Sequence, residues 1–452
     1  MNDIILMNRR KFMEQISVLA GSSIAATSMP WLSIFTRPAY AGVNPSDRVR
    51  LGVIGVGDRG RTLILNIQEI QKYENVEIAA VCDTYEPHYQ RGIKLTGGKA
   101  KAFFDYREML EMDDLDGVII TTPLHEHARQ TIDALEAGIH VYCEKSMART
   151  LEDTKRMYDA HINTGKILVI GHQRLYSPVY LEGIERIHKG ELGKITHLQA
   201  RWHRNWMWRQ HLLPDGTAEW LYSWGWEDWQ PGTIYPLQKE NPELDRKINW
   251  RLYDEYSAGL ITELATHHFQ VANWVMQTQP VSVVGKGSLN FWNDGRDILD
   301  NFSCILKYPN DTFMLYDCLD SNKHNGMQVQ VLGNLGTMEL ESNKKFIEDW
   351  PRSPAIRKLI QDIEQSIFDV IPIGGATWIP QAPQDYLDSY ISDKWKMNET
   401  KLFLEGFVKH IREGKIPEKL AREGYYASIW GLLAEKAIKT GNEVTLPEGY
   451  EI

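Results

Sequence analysis

The chain has 452 residues, 43% hydrophobic and 24% charged, with a formal net charge of −10. Its length exceeds one average domain and points to two. The acidic balance argues against a nucleic-acid or anionic-membrane partner, and no uninterrupted apolar run is long enough to span a bilayer.

The first residues read as an address. Asn8-Arg9-Arg10-Lys11-Phe12-Met13 places paired arginines before a mildly apolar region, Ile16 to Ala26, and Ala39-Tyr40-Ala41 offers small residues where a signal peptidase reads. This resembles a twin-arginine export signal, residues 1–41, cleaved after Ala41, and implies a bacterial periplasm. Met7 is an alternative start.

Val49 to Ile54 is a β-branched run that stops at Gly55-x-Gly57-x-x-Gly60, and Leu63, Ile64, Ile67 and Ile70 then follow at helical spacing. The pattern predicts a strand, a tight turn and a helix whose N-terminus faces a pyrophosphate. Gly55 permits the turn, Gly57 lets the phosphate approach, and Gly60 lets helix and strand pack closely. Asp58 and Arg59 lie in the same loop. A second apolar run, Val76 to Cys82, ends at Asp83, where an acid is needed for the adenosine ribose hydroxyls. An acid there would repel a ribose phosphate, so NAD is expected rather than NADP.

Strands and helices keep alternating to Ile170, which predicts a doubly wound parallel sheet over 42–170, with ligands outside the carboxyl ends of its strands. Cys82 and Cys143 end the second and fifth strands, too far apart to bridge. From Gly171 short alternating runs appear, at Ile195–Trp202, Val281–Leu289, Asn301–Tyr308, Thr312–Leu319, Gln328–Leu332 and Thr337–Leu340. They predict a second domain, 171–452, of the α+β kind with an open, mostly antiparallel sheet. Cys304 and Cys318 fall on neighbouring strands, either bridged or, as the preferred reading, two buried small residues. The four cysteines suit neither a zinc site nor a disulfide scaffold, and no metal is expected. Residues 202–250 form an insertion holding eight of the 15 tryptophans, and 350–400 form an irregular excursion. Glu399 to Glu413 and Glu423 to Thr440 are amphipathic helices.

Four motifs in order resemble the Gfo/Idh/MocA family of sugar-type dehydrogenases: the glycine loop; Thr122-Pro123 with His127; Ala137-Gly138-x-His140-Val141-x-x-Glu144-Lys145; and Gly259-x-x-x-Glu263-x-x-x-His267. The resemblance covers most of residues 48–340 and the closing helix. Two departures stand out: Ser146 replaces the family's usual proline after the lysine, and Glu263 replaces an aspartate.

Oxidising a secondary alcohol needs a base for the hydroxyl proton while hydride leaves for the nicotinamide. Lys145 is the candidate to hydrogen-bond and polarise the hydroxyl. His267 is the candidate proton acceptor, with Glu263 one helical turn earlier to orient or charge its ring. The resemblance places Thr122, Pro123, His127, Glu144, Lys145 and Gln173 near the cofactor, with His127 and Glu144 either touching it or supporting it. Arg174, Tyr176 and His268 are substrate candidates by the same resemblance, Arg174 and Tyr176 having a salt bridge and a core tyrosine as alternatives. Trp250 joins them because flat aromatic faces stack on sugars, and a subunit interface or satellite core is the alternative for the tryptophans.

The leading expectation is an exported NAD-dependent oxidoreductase acting on a sugar or glycoside, with its cofactor retained. Family members include NAD-dependent glycosidases that oxidise, eliminate, hydrate and reduce again, for example on N-acetylgalactosaminides, and this is the alternative. A third reading is a dinucleotide or sugar sensor, for which Lys145 and His267 would be dispensable. The resemblance also implies a homo-oligomer, a dimer or tetramer.

Overall fold

The β-branched run Val49–Ile54 becomes β1, flanked by β2 (Val76–Cys82), β3 (Lys101–Phe103), β4 (Gly117–Ile120), β5 (His140–Cys143) and β6 (Leu168–Ile170) in a sheet of order β3-β2-β1-β4-β5-β6. The computed structural model describes residues 48–220, 235–348 and 387–452. All pairings in this sheet are parallel. Val53, Val81, Ile119, Val141 and Leu168 are fully buried, as a sheet covered on both faces requires. Strand order reverses between β1 and β4, which opens a crevice beyond their carboxyl ends. The helix Asp58–Ile70 buries Leu63, Ile64, Ile67 and Ile70 against the sheet and begins within the glycine loop, before the first apolar residue of that spacing.

The second sheet has nine strands, in the order β16-β15-β14-β13-β7-β12-β11-β10-β17. They are β7 (Ile195–His203), β10 (Ser282–Ser288), β11 (Asn301–Lys307), β12 (Phe313–Leu319), β13 (Met327–Gly333), β14 (Gly336–Glu339), β15 (Lys344–Ile347), β16 (Leu387–Tyr390) and β17 (Val444–Thr445). Between β7 and β10 a small hairpin forms from β8 (Gln210–Leu212) and β9 (Ala218–Trp220). The large sheet is mixed, because β7 and β12 run parallel at its centre. Alternation of apolar residues shows which face a strand buries but not which strand it pairs with, and these two meet only after a long crossover. All four cysteines are free and buried; Cys304 stands opposite Tyr316, and Cys318 opposite Phe302.

The chain then returns to the first sheet. A Cβ on Gly424, in the helix Glu418–Thr440, would lie 2.5 Å from Ile170, and one on Gly406, in the helix Glu399–Glu413, would lie 2.4 Å from the Tyr176 ring. The closing helix is five residues longer at its start than its pattern predicted, and it buries Trp430 completely. Among the described residues no helix is long and apolar enough to cross a membrane. The export signal, Trp224, Trp226, Trp229 and most of the 350–400 excursion lie outside the described residues.

Candidate active site

The three loop glycines do three different things. Gly55 has φ +90°, open to glycine at little cost. A Cβ on Gly60 would fall 2.0 Å from the Gly55 carbonyl oxygen, whereas one on Gly57 would meet nothing nearer than the His88 ring at 3.7 Å. Gly60 therefore serves helix packing and Gly57 leaves open space. The helix behind them has no side-chain cap, so its first N–H groups remain for an anion. Asp83 is fixed between two loops, its Oδ2 accepting the Val56 N–H at 2.7 Å and its Oδ1 the Tyr85 N–H at 2.9 Å. Each oxygen keeps a second lone pair. An uncapped helix start with a fixed acid beside it fits NAD, which when bound supplies the hydride acceptor.

The loops after β4 and β5 are joined by His127. This buried ring places Nε2 3.0 Å from the Thr122 carbonyl oxygen and Nδ1 2.9 Å from that of Ser146. Both nitrogens face backbone carbonyls, of which a neutral ring donates to one, so of its two readings His127 takes the supporting one. Thr122 donates its hydroxyl to Gln130, and Pro123 opens the short helical turn Leu124–Glu126. Arg59 turns inward to Glu144, Nε to Oε1 at 2.6 Å, and Tyr142 donates to the same oxygen at 3.1 Å. Glu144 therefore ties the glycine loop to the end of β5.

Lys145 reaches across to the segment that carries the fourth motif. Its Nζ donates to the Glu263 carbonyl at 2.9 Å and to Glu263 Oε2 at 3.2 Å. Arg251 Nε donates to the same carboxylate oxygen at 3.2 Å. The Lys145–Ser146 peptide is cis, and the Ser146 hydroxyl donates to the Thr262 carbonyl at 2.7 Å. Burial opposes charge on Glu263, yet Lys145 and Arg251 more than offset it and hold the carboxyl below its usual range.

The expected pairing of Glu263 with His267 is overturned. Residues Ile261–Ala265 form a π-helical turn before the α-helix Thr266–Met276, and the Glu263 carboxylate is taken up by Lys145 and Arg251 while His267 Nδ1 has no hydrogen-bond partner among the described residues. His267 is 6% exposed. Burial, reinforced by the Arg174 and Lys145 cations, holds its pKa well below 6.5. The ring is neutral and retains a lone pair.

Three of the substrate candidates lie in the packed interior. Arg174, 4% exposed, pairs with Glu341 at 2.6 Å, so it forms the salt bridge that was its alternative reading. Tyr176 hydrogen-bonds His410 at 3.0 Å and packs on Phe403, as a core tyrosine. His268 is fully buried between Trp202 and Tyr316. Gln173 opens the helical turn that carries Arg174. Trp250 is half-buried, with the Arg251 guanidinium 4.1 Å over its ring, so it stands one residue from the Lys145–Glu263 pair.

Sequence reasoning missed several neighbours. His172, two residues after β6, sits edge-on to His267 with ring centroids 5.5 Å apart, and burial with the Lys145 and Arg174 charges pushes its pKa down to about 3. The Trp202 ring lies 5.9 Å from that of His267, centroid to centroid. Position after a parallel strand was the available signal for His172, while Arg251 and Glu341 carried none. Among the described residues no group of three or more His, Cys, Asp or Glu is arranged to hold a metal.

The parallel sheet, its glycine loop and the lysine at the end of β5 define a dinucleotide-binding oxidoreductase of the Rossmann class. The family model for the Gfo/Idh/MocA NAD-binding Rossmann fold matches residues 49–172, and that for the Gfo/Idh/MocA C-terminal domain matches 235–339; the chain belongs to this oxidoreductase family. A levoglucosan dehydrogenase solved with NADH and levoglucosan has the same fold, at 17% identity and a TM-score of 0.64 over 89% of this chain and 100% of that one. A glycosyl hydrolase family 109 protein of Shewanella sp. (strain ANA-3) and an alpha-N-acetylgalactosaminidase of Shewanella oneidensis are each 29% identical over 202 residues. Each of these matches spans 43% of both chains, so the chain covers less than half the length of the curated relatives it matches.

Proposed function

We propose that the protein is an exported, NAD-dependent oxidoreductase that moves hydride between the cofactor and a secondary hydroxyl of a sugar or glycoside, and that it retains its NAD. The observation that carries the reading is the Lys145–Glu263 pair beside a neutral His267. An ammonium has three protons, and Lys145 gives two directions to Glu263, which leaves one N–H for the substrate hydroxyl. That contact stabilises the oxygen as it becomes a carbonyl. Buried without a partner at Nδ1, His267 takes up the hydroxyl proton and returns it in the reverse direction. Trp202, Trp220 and Trp250 supply flat faces suited to a sugar ring.

The remaining parts of the reading have their own support. The paired arginines and Ala39-Tyr40-Ala41 support export to a periplasm with loss of residues 1–41. Asp83 supports NAD over NADP. Val284, Ile305 and Leu315 lie opposite one another on β10, β11 and β12 and are exposed, which supports a homo-oligomer through this face of the sheet.

The matches to glycosyl hydrolase family 109 proteins favour a second reading, a redox-neutral glycosidase using the same first oxidation. One experiment separates the two. Mature protein is incubated, without added cofactor, with a panel of mono- and disaccharides and an artificial electron acceptor, and the products are weighed by mass spectrometry. Loss of two hydrogens from an intact sugar supports the oxidoreductase; cleaved sugar without net oxidation overturns it in favour of the glycosidase.

A further inference from the structure

The tryptophan-rich insertion does more than add aromatic surface. Its hairpin, β8 and β9, bonds to both loops that follow β1 and β2. Gln210 Nε2 donates to Asp58 Oδ2 at 3.3 Å, and the Tyr85 hydroxyl donates to the Gly216 carbonyl at 2.6 Å. Asp58 is the first residue of the helix behind the glycine loop, and Tyr85 lies two residues beyond Asp83. In a sheet of this order the gap between those loops holds the adenosine half of the dinucleotide. A bridge from one loop to the other crosses that gap.

The base of the hairpin is rigidly held. Arg209, fully buried, donates to Asp245 at 2.8 Å and to Asp294 at 3.2 Å. Asn249 clamps the backbone of Gln210 from both sides, accepting its N–H at 2.6 Å and donating to its carbonyl at 3.1 Å. The tip is held lightly by comparison. Beyond the Tyr85 bond it makes a close approach of Gly216, at φ +79°, to Pro87, where a Cβ would meet the proline ring at 3.0 Å. A fixed base and a tip resting on the rim describe a strap.

We propose that the hairpin Gln210–Trp220 is a strap over the adenosine half of NAD, so that the cofactor leaves only when the tip lifts from Tyr85 and Pro87. The proposal rests on the NAD-binding reading above and extends it by naming the element that retains the cofactor. It accounts physically for retention, because release requires breaking protein–protein contacts as well as those to the nucleotide. Gln210, Gly216 and Tyr85 are then retention residues, remote from Lys145 and His267 in the chain.

The test compares the full chain with Tyr85→Phe, Gly216→Val and the double variant. Tyr85→Phe removes one hydrogen bond, and Gly216→Val forces a side chain into Pro87. Bound nucleotide is counted per protomer after gel filtration, and its loss is timed by exchange against labelled NAD. Removing a hydrogen bond of ordinary strength speeds loss by about 2- to 10-fold, and the double variant is expected to lose nucleotide faster than either single one. Unchanged melting of the nucleotide-free proteins shows that the strap, not the fold, has been altered. Equal loss rates in all four proteins overturn the strap while leaving NAD binding intact. If the unmodified chain neither carries nor takes up NAD, the cofactor reading falls and the strap with it.

Discussion

Lys145 and Glu263 are 118 residues apart in the chain, yet the lysine ammonium donates to both the main-chain carbonyl and the carboxylate of that one glutamate. The end of a parallel strand is thereby locked to a π-helical turn of the second half of the molecule. Lys145→Ala is expected to reduce turnover by about 100-fold or more, the order found when a positioned proton or charge partner is lost. Bound nucleotide per protomer should not change. Turnover within a few-fold of the unmodified protein would remove Lys145 from the chemistry.

Glu263 also makes a prediction about acid stability. Its folded pKa is depressed while its unfolded value is near 4.5, so its contribution is present above about pH 4.5 and lost as pH falls through the folded value. Glu263→Gln leaves Lys145 and Arg251 without their anion, a change of order ~3 kcal/mol for a broken buried pair. Melting temperatures of the two proteins should differ most at neutral pH and converge towards pH 3. A constant difference across that range would show that the carboxylate's charge is not what matters.

His267 behaves differently from a surface imidazole. The unfolded chain takes up a proton at this ring near pH 6.5, and the folded protein does so only far lower, so stability from the neutral ring is full above that pH and falls below it. Turnover measured from pH 5 to 8 should show no acid limb centred near 6.5 that disappears in His267→Ala, and that variant should lose about 100-fold or more in rate. A His267-dependent limb near 6.5 would mean that the ring is solvated and ordinary.

Gly57 and Gly60 separate binding from folding. A methyl at Gly60 collides with the Gly55 carbonyl, whereas at Gly57 it enters open space. Gly60→Ala should therefore lower the melting temperature of nucleotide-free protein, and Gly57→Ala should leave it unchanged while weakening NAD binding in titration calorimetry. The reverse pattern would mean that the helix and not the open crevice depends on Gly57.

Arg174 is predicted to matter for stability rather than for substrate. Glu341→Gln strands the guanidinium in a buried site and should cost about 3–5 kcal/mol, read as a lower denaturation midpoint, with little change in KM. A large rise in KM at unchanged stability would return Arg174 to the substrate site.

Local patterns were sufficient for the parallel sheet. Val49–Ile54, the three glycines and Asp83 form one contiguous unit whose geometry is set by near neighbours, so β1, the helix behind it and β2 were legible from spacing alone. Cys82 and Cys143 were likewise separable from strand count. What depends on distant partners was not legible. Apolar alternation could not reveal that β7 pairs in parallel with β12, and helical periodicity could not reveal that the Glu263 carboxylate is taken by Lys145 and Arg251 from other parts of the chain. The same holds for Arg174, whose partner Glu341 lies 167 residues away, and for the hairpin that reaches Asp58 and Tyr85. The sequence by itself determined the dinucleotide fold and the residues that bear charge or a ring nitrogen. Only the tertiary structure decided which of those groups face one another, because a side chain's hydrogen bonds and pKa are set by what packs against it and not by what precedes it in the chain.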